Sequence, residues 1–227
     1  EWNIYSGKFF NEFAEHHICE PFNFPLGWPV WISMDWGHST WCAIGFYTQD
    51  PVSGKIYLFD EIYCTRKSPD EVARMIKEKL GRRLMDLIGR YSDKRIQVKD
   101  DDNNVSTRAK FASHGIYFTI AADDRVNGWH RCRELLMRKQ DGTIQFQVFS
   151  SCKKFIELIP SCIHDINKPE DMEKRGETHH ADQFRYFSVM RRHTAKDDIS
   201  GPALEVNPRT GYPGMTSEGP LLRPQIR

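Results

Sequence analysis

What this sequence lacks narrows it before any motif is considered. It has no surplus of either charge: 32 Lys and Arg stand against 31 Asp and Glu, a net of +1. No global basic field draws the chain to nucleic acid, so any such contact must come from local patches. None of its six cysteines (Cys19, Cys42, Cys64, Cys132, Cys152, Cys162) forms a C-x-x-C pair. No Cys/His group has the spacing of a structural zinc site, so the thiols read as scattered and reduced, as in a cytosolic protein. No apolar run approaches the ~18 residues of a membrane span, and no signal peptide is visible. There is no internal repeat. The chain begins at Glu1-Trp2 without a methionine, which suggests a fragment or a processed product.

What is present is ordinary globular composition, 39% hydrophobic and 28% charged over 227 residues, enough for one domain with a real core. Residues 1–30 are aromatic, with Pro21, Pro25 and Pro29, and read as an extended lead-in. A strand is expected at Val30–Met34, running into Asp35. Two further β-rich runs, 41–48 and 55–63, flank the turn Asp50-Pro51-Val52-Ser53-Gly54, which signals a hairpin. Ser68-Pro69-Asp70-Glu71 combines an N-cap serine, a first-turn proline and a glutamate three residues on, and so opens a helix. A fourth strand is expected at Arg95–Val98, then a helix over 106–113, a strand over 116–120, a helix capped by Asp124, a strand over 143–149, a helix over 152–163 and a last helix over 178–193. The Pro-, Gly- and Ser-rich residues 195–227 read as an extended or disordered arm. Three antiparallel strands followed by alternating helix and strand predict an α/β mixed sheet with helices on both faces, an order compatible with a ribonuclease-H-like fold.

Three carboxylate positions stand out. Asp35 ends the first expected strand, Asp100 (with Asp101 and Asp102 beside it) follows the fourth, and Asp182 lies near the start of the last helix. Strand ends and a helix start can converge at one edge of a sheet. Carboxylates shared between two Mg²⁺ or Mn²⁺ ions are the minimum kit for phosphodiester hydrolysis. Each aspartate reads equally as a turn cap or a solvated side chain. His179-His180 is no metal pair, because adjacent helix positions face different ways. Arg125, Arg131 and Arg133 could contact a phosphate backbone, or simply line a solvated helix face diluted by Asp123, Asp124 and Glu134.

Several stretches together resemble the C-terminal nuclease domain of tailed-phage large terminase subunits. Ser6-Gly7-Lys8-Phe9-Phe10-Asn11-Glu12-Phe13, then Pro21-Phe22, resembles the segment joining that family's ATPase to its nuclease. Ile32-Ser33-Met34-Asp35-Trp36-Gly37 resembles its first strand with a metal-binding aspartate, and Tyr57-Leu58-Phe59-Asp60-Glu61-Ile62-Tyr63 its third strand. Ala121-Ala122-Asp123-Asp124-Arg125-Val126-Asn127-Gly128-Trp129 is the most distinctive match. Pro169-Glu170-Asp171, then Thr178-His179-His180-Ala181-Asp182-Gln183-Phe184-Arg185-Tyr186, resembles the closing acidic/His motif, with Thr178 in place of an acidic residue. The resemblance covers most of residues 1–192.

The resemblance implies a nuclease domain over 1–194, with 1–30 leading in from a missing ATPase domain, and the catalytic metal ligands Asp35, Asp100 and Asp182. Asp102 is the alternative middle ligand, and His179 and Glu61 are possible support. It also implies an endonuclease for double-stranded concatemeric DNA, working with two Mg²⁺ or Mn²⁺ ions and little sequence preference. Its partners would be DNA, the small terminase subunit and the portal protein, in the host cytoplasm and away from any membrane. Arg125, Arg131 and Arg133 would be its backbone contacts. With no G-x-x-x-x-G-K-S/T phosphate loop, the chain by itself is not expected to hydrolyse ATP. Another ribonuclease-H-like nuclease, such as a junction resolvase, and a catalytically silent DNA- or portal-docking module remain the alternatives.

Overall fold

The computed structural model describes residues 7–99, 104–174 and 176–191. The chain divides into two units, Glu1–Arg192 and His193–Arg227. The second unit, and with it the expected arm over 195–227, lies outside the described residues, as do Asp100, Asp101 and Asp102.

The strands are β1 (Ile18–Cys19), β2 (Val30–Asp35), β3 (Cys42–Gln49), β4 (Ile56–Cys64), β5 (Leu87–Ser92), β6 (Thr119–Ile120) and β7 (Phe146–Phe149). The helices are α1 (Pro69–Leu80), α2 (Thr107–Ser113), α3 (Arg125–Leu136), α4 (Lys153–Leu158) and α5 (His179–Met190). One seven-stranded sheet runs β1-β7-β4-β3-β2-β5-β6. β2, β3 and β4 pair antiparallel, as the Pro/Gly turn predicts, with Gly54 at φ +73° closing the hairpin. β5 pairs parallel with β2, β6 with β5, and β7 with both β4 and β1. This is the expected ribonuclease-H-like mixed sheet.

Helices cover both faces, and the register shows how. Every residue of β2 and β3 is buried, odd and even alike. On one face, Ser33 donates to the Gln183 carbonyl at 2.6 Å, and Tyr47 donates to the Gln183 side chain at 2.7 Å, which fastens α5 across β2 and β3. Tyr47 also stacks on Phe187, with centroids 3.8 Å apart. Gly45, between them, permits this approach, because a Cβ there would lie 2.5 Å from Gln183 Oε1. On the opposite face, Asp60 pairs in register with Phe46 and takes a salt bridge from Lys79 of α1 at 2.6 Å. α1 begins with the predicted capping box: Ser68 Oγ accepts from Glu71 N, and the Glu71 carboxylate accepts from Ser68 N.

The structure corrects one element that matters. The fourth strand is not Arg95–Val98 but β5, Leu87–Ser92; Lys94–Gln97 is a single 3₁₀ turn. Leu87-Ile88-Gly89-Arg90-Tyr91-Ser92 has β-favouring Ile88 and Tyr91 but a glycine in its middle, which weakens the local signal. Tertiary packing selects it, because Gly89 leaves room for the Trp31 indole, whose Cδ1 a Cβ there would strike. The lead-in is also more than extended chain: Phe9 and Phe10 are fully buried, and Phe9 N donates to the Cys162 carbonyl at 2.7 Å.

α3 packs against α5 through Gly128, where a Cβ would meet Arg185 Cγ at 2.6 Å and Val189 Cγ2 at 3.2 Å. Alanine would raise helix propensity by about 1 kcal/mol, but overpacking against a buried, bonded side chain costs about 1–3 kcal/mol. Gly128→Ala is therefore expected to lower stability in chemical denaturation. A gain would show that α3 and α5 have slack between them.

Candidate metal centre

β2 and β5 are adjacent, parallel and end together: Met34 pairs with Ser92, so Asp35 and Asp93 stand side by side at the carboxyl edge of the sheet. Strand spacing of about 4.8 Å brings the two carboxylates close. Unit charges about 5 Å apart repel by about 3 kcal/mol at an effective dielectric of about 20, so the pair needs positive charge between its members. Asp182, in the first turn of α5, adds a third carboxylate to the same cavity of about 440 Å³. His179, Tyr186, Asp123, Arg95, Arg125 and Arg185 also line it.

Each carboxylate has identified partners. Asp35 is buried; His179 Nδ1 donates to its Oδ2 at 2.7 Å, Arg95 Nη2 donates to its Oδ1, and Tyr186 Oη lies 3.4 Å from Oδ1. The Asp35 carboxyl is raised to about 6: burial is the main cause, the charges of Asp182 and Asp93 add to it, and the His179 hydrogen bond and the Arg95 charge oppose it. Asp93 caps the 3₁₀ turn through Arg95 N, accepts from Arg95 Nη2 at 3.0 Å and lies 3.4 Å from Trp36 N. Asp182 accepts from Arg125 Nη1 at 3.1 Å and from Arg185 Nη2 at 3.0 Å. Arg185 is buried over the Trp129 ring, and Arg125 is shared with Asp171, which also accepts from Trp129 Nε1 at 2.7 Å.

Of the expected site residues, the fold therefore brings together Asp35, Asp182, His179 and Arg125. Asp100 and Asp102 lie outside the described residues, and the premise that favoured Asp100, a strand ending at Val98, does not hold. Sequence reasoning missed Asp93 and Arg95; a placement of the fourth strand at 87–92 would have put Asp93 directly at its end. Glu61 does not line the cavity. It pairs in register with Gly45, and its carboxylate accepts from Lys154 N and Phe155 N at the start of α4. His180 points away from His179 and stacks on Tyr63. Burial lowers its pKa to about 3, so it is neutral and its 3.4 Å approach to Glu61 is no ion pair.

Arg131 and Arg133 do not join Arg125 in a patch. Arg131 pairs with Glu134, while Arg133 donates to the Phe9 carbonyl at 2.9 Å and lies over the Phe9 ring. Positions 131 and 133 face opposite sides of a helix turning about 100° per residue.

The residues present suit a hard divalent cation in chemistry: Asp35, Asp93, Asp182 and the His179 imidazole line one cavity, with Asp123 also in its lining, and a guanidinium bridging Asp35 and Asp93 marks where positive charge is stabilised. Among the described residues, no three His, Cys, Asp or Glu side chains form a ready-made metal-binding group. All six cysteines are free, and no described helix is long and apolar enough to cross a membrane.

No protein-family model and no curated protein matches the chain. Solved structures do. The large terminase of a thermophilic bacteriophage, in complex with ADP, matches with a TM-score of 0.69 at 17% identity, over 84% of this chain and 46% of that one. The nuclease domain of the P22 large terminase matches with a TM-score of 0.66 at 20% identity, over 82% of this chain and 93% of that one. The large terminase nuclease of the thermophilic phage G20c with bound cobalt matches with a TM-score of 0.53 at 10% identity, over 81% and 97%. This chain thus has the fold of large-terminase nuclease domains and spans about half the length of the ADP-bound terminase it matches.

A carboxyl whose folded pKa lies above its unfolded value favours the fold only while protonated, and that contribution is lost as pH rises through the folded pKa. With EDTA present, Asp35→Asn is therefore expected to melt above the wild type at pH 8. The difference should shrink as pH drops from about 6 toward 4. A variant melting below the wild type at pH 8 would contradict this account of Asp35.

Proposed function

We propose that this chain, which has the fold of large-terminase nuclease domains, is the metal-dependent endonuclease of a viral DNA-packaging motor, cutting double-stranded concatemeric DNA with little sequence preference. One observation carries the reading: Asp35, Asp93 and Asp182, from two parallel strand ends and a helix start, face one cavity at the sheet edge in that fold. Asp35 and Asp182 would hold two Mg²⁺ or Mn²⁺ ions with Asp93 as the middle ligand, a position that the sequence alone assigns to Asp100 or Asp102. The ions would supply charge against the phosphate and lower the pKa of an attacking water.

The chain's own residues then have definable tasks. His179 fixes the orientation of the Asp35 carboxylate through Nδ1. Arg185, buried beneath α3, holds Asp182 toward the cavity, and Arg125 at the rim can pass from Asp182 to a DNA phosphate. In the complete subunit, the domain would work beside an ATPase, the small terminase subunit and the portal in the host cytoplasm. A second reading, a catalytically silent DNA- or portal-docking module, draws on the guanidinium partners that already neutralise all three carboxylates.

The test is Mn²⁺-dependent cleavage of plasmid DNA. Asparagine is the substitution to use at 182, since alanine would leave buried Arg185 unpaired at about 3–5 kcal/mol. Asp35→Asn, Asp93→Asn and Asp182→Asn should each reduce cleavage by at least ~100-fold, whereas Asp100→Asn and Asp102→Asn should retain most of it. Absence of cleavage by the wild type would favour the docking module, and preference for branched over linear duplex would favour a resolvase.

A further inference from the structure

Arg95 belongs to two cavities at once. On one side its guanidinium touches Asp35 and Asp93. On the other it lines a second cavity of about 440 Å³ with His38, Lys99, Lys110, Ser68 and Thr107. The charge of the two linings differs sharply. The first carries Asp35, Asp93, Asp123 and Asp182; the second, among the described residues, has no carboxylate, and its polar side chains are cations, an imidazole and hydroxyls. Such a lining suits the oxygens of a phosphodiester.

The Arg95 side chain is 53% exposed, so packing does not lock it in place. What holds its head is the two carboxylates, and their oxygens are the ones a divalent ion would take. A guanidinium and a divalent ion cannot both occupy the gap between them, and the more concentrated charge of the ion is favoured by hard oxygen donors. Once displaced, the head remains tethered to the 3₁₀ turn Lys94–Gln97, with the cationic cavity beside it.

We propose that Arg95 is the internal counter-ion of the metal centre, which a divalent ion must displace, and that the displaced guanidinium grips a DNA backbone phosphate in the adjoining cavity. Resting on the nuclease reading, this makes Arg95 a positioning residue that couples ion binding to DNA binding. Without the ion, it neutralises the paired strand-end aspartates; with the ion, its charge becomes available to the strand being cut.

The coupling has a readout besides cleavage. Calorimetric titration of Mn²⁺ into the full chain should show Arg95→Gln binding the ion tighter than the wild type, on the order of tenfold. The same variant should bind duplex DNA more weakly in Ca²⁺, with the slope of log affinity against log salt shallower by about one. Unchanged or weaker Mn²⁺ binding by a folded Arg95→Gln overturns the counter-ion role, and unchanged DNA affinity overturns the phosphate role. If Arg95→Gln fails to fold, Arg95→Met carries the same test: it keeps an unbranched stem but lacks the Nη2 that contacts both carboxylates, so it should still bind Mn²⁺ tighter than the wild type, and equal affinity overturns the proposal. Failure of the wild type to bind Mn²⁺ at all would instead overturn the nuclease reading beneath it.

Discussion

Two parallel strands that run in register, one ending on Asp35 and the other running into Asp93, are the constraint around which the rest of this molecule is arranged. β2 and β5 deliver Asp35 and Asp93 to the same edge one strand spacing apart. Their repulsion has to be met by positive charge. Arg95 meets it from the turn that follows β5, while His179, from the first turn of α5, hydrogen-bonds the Asp35 carboxylate. The same edge that makes the pair costly in isolation makes it suited to an ion.

Asp182 reaches that edge by a different route. Its position depends on how closely α5 lies on the sheet and α3 on α5. Gly45 and Gly128 each permit an approach that a Cβ would obstruct, and Gln183 fastens α5 to both Ser33 and Tyr47. Arg185 and Arg125 then bracket Asp182, with Trp129 and Asp171 behind them. The stretch Arg125-Val126-Asn127-Gly128-Trp129 is thus a support for the third carboxylate. That explains physically why it accompanies the aspartate-bearing helix: the glycine sets the helix spacing, and the tryptophan lies against Arg185 while bonding the acid that shares Arg125.

Much of this was legible in the residues. The hairpin turn at 50–54, the Ser68 capping box and the period of the helices are local signals, and local signals survive because they act between neighbours in the chain. Asp35 was legible because a strongly apolar run ends on it. β5 was not, since Gly89 interrupts its local signal, and what fits that glycine to a strand is Trp31 seated over it. Misplacing that strand moved the carboxylate expected at its end from Asp93 to the run beginning at Asp100. The arginines show the same limit. Arg125, Arg131 and Arg133 look alike in sequence, yet one pairs with Asp182, one with a neighbouring glutamate and one with the backbone of the lead-in.

By itself, the sequence determined the class of fold, the first strand with its aspartate, and the helix bearing His179 and Asp182, because these follow from short-range patterning. Only the tertiary structure decided which strand lies beside β2, and hence that Asp93 is the neighbour of Asp35. It also decided that Arg95 bridges the two and that Glu61 serves α4 instead of the site. The reason is that strand adjacency and ion pairing are set by contacts between residues dozens of positions apart. No local window of sequence contains the energy that chooses among them.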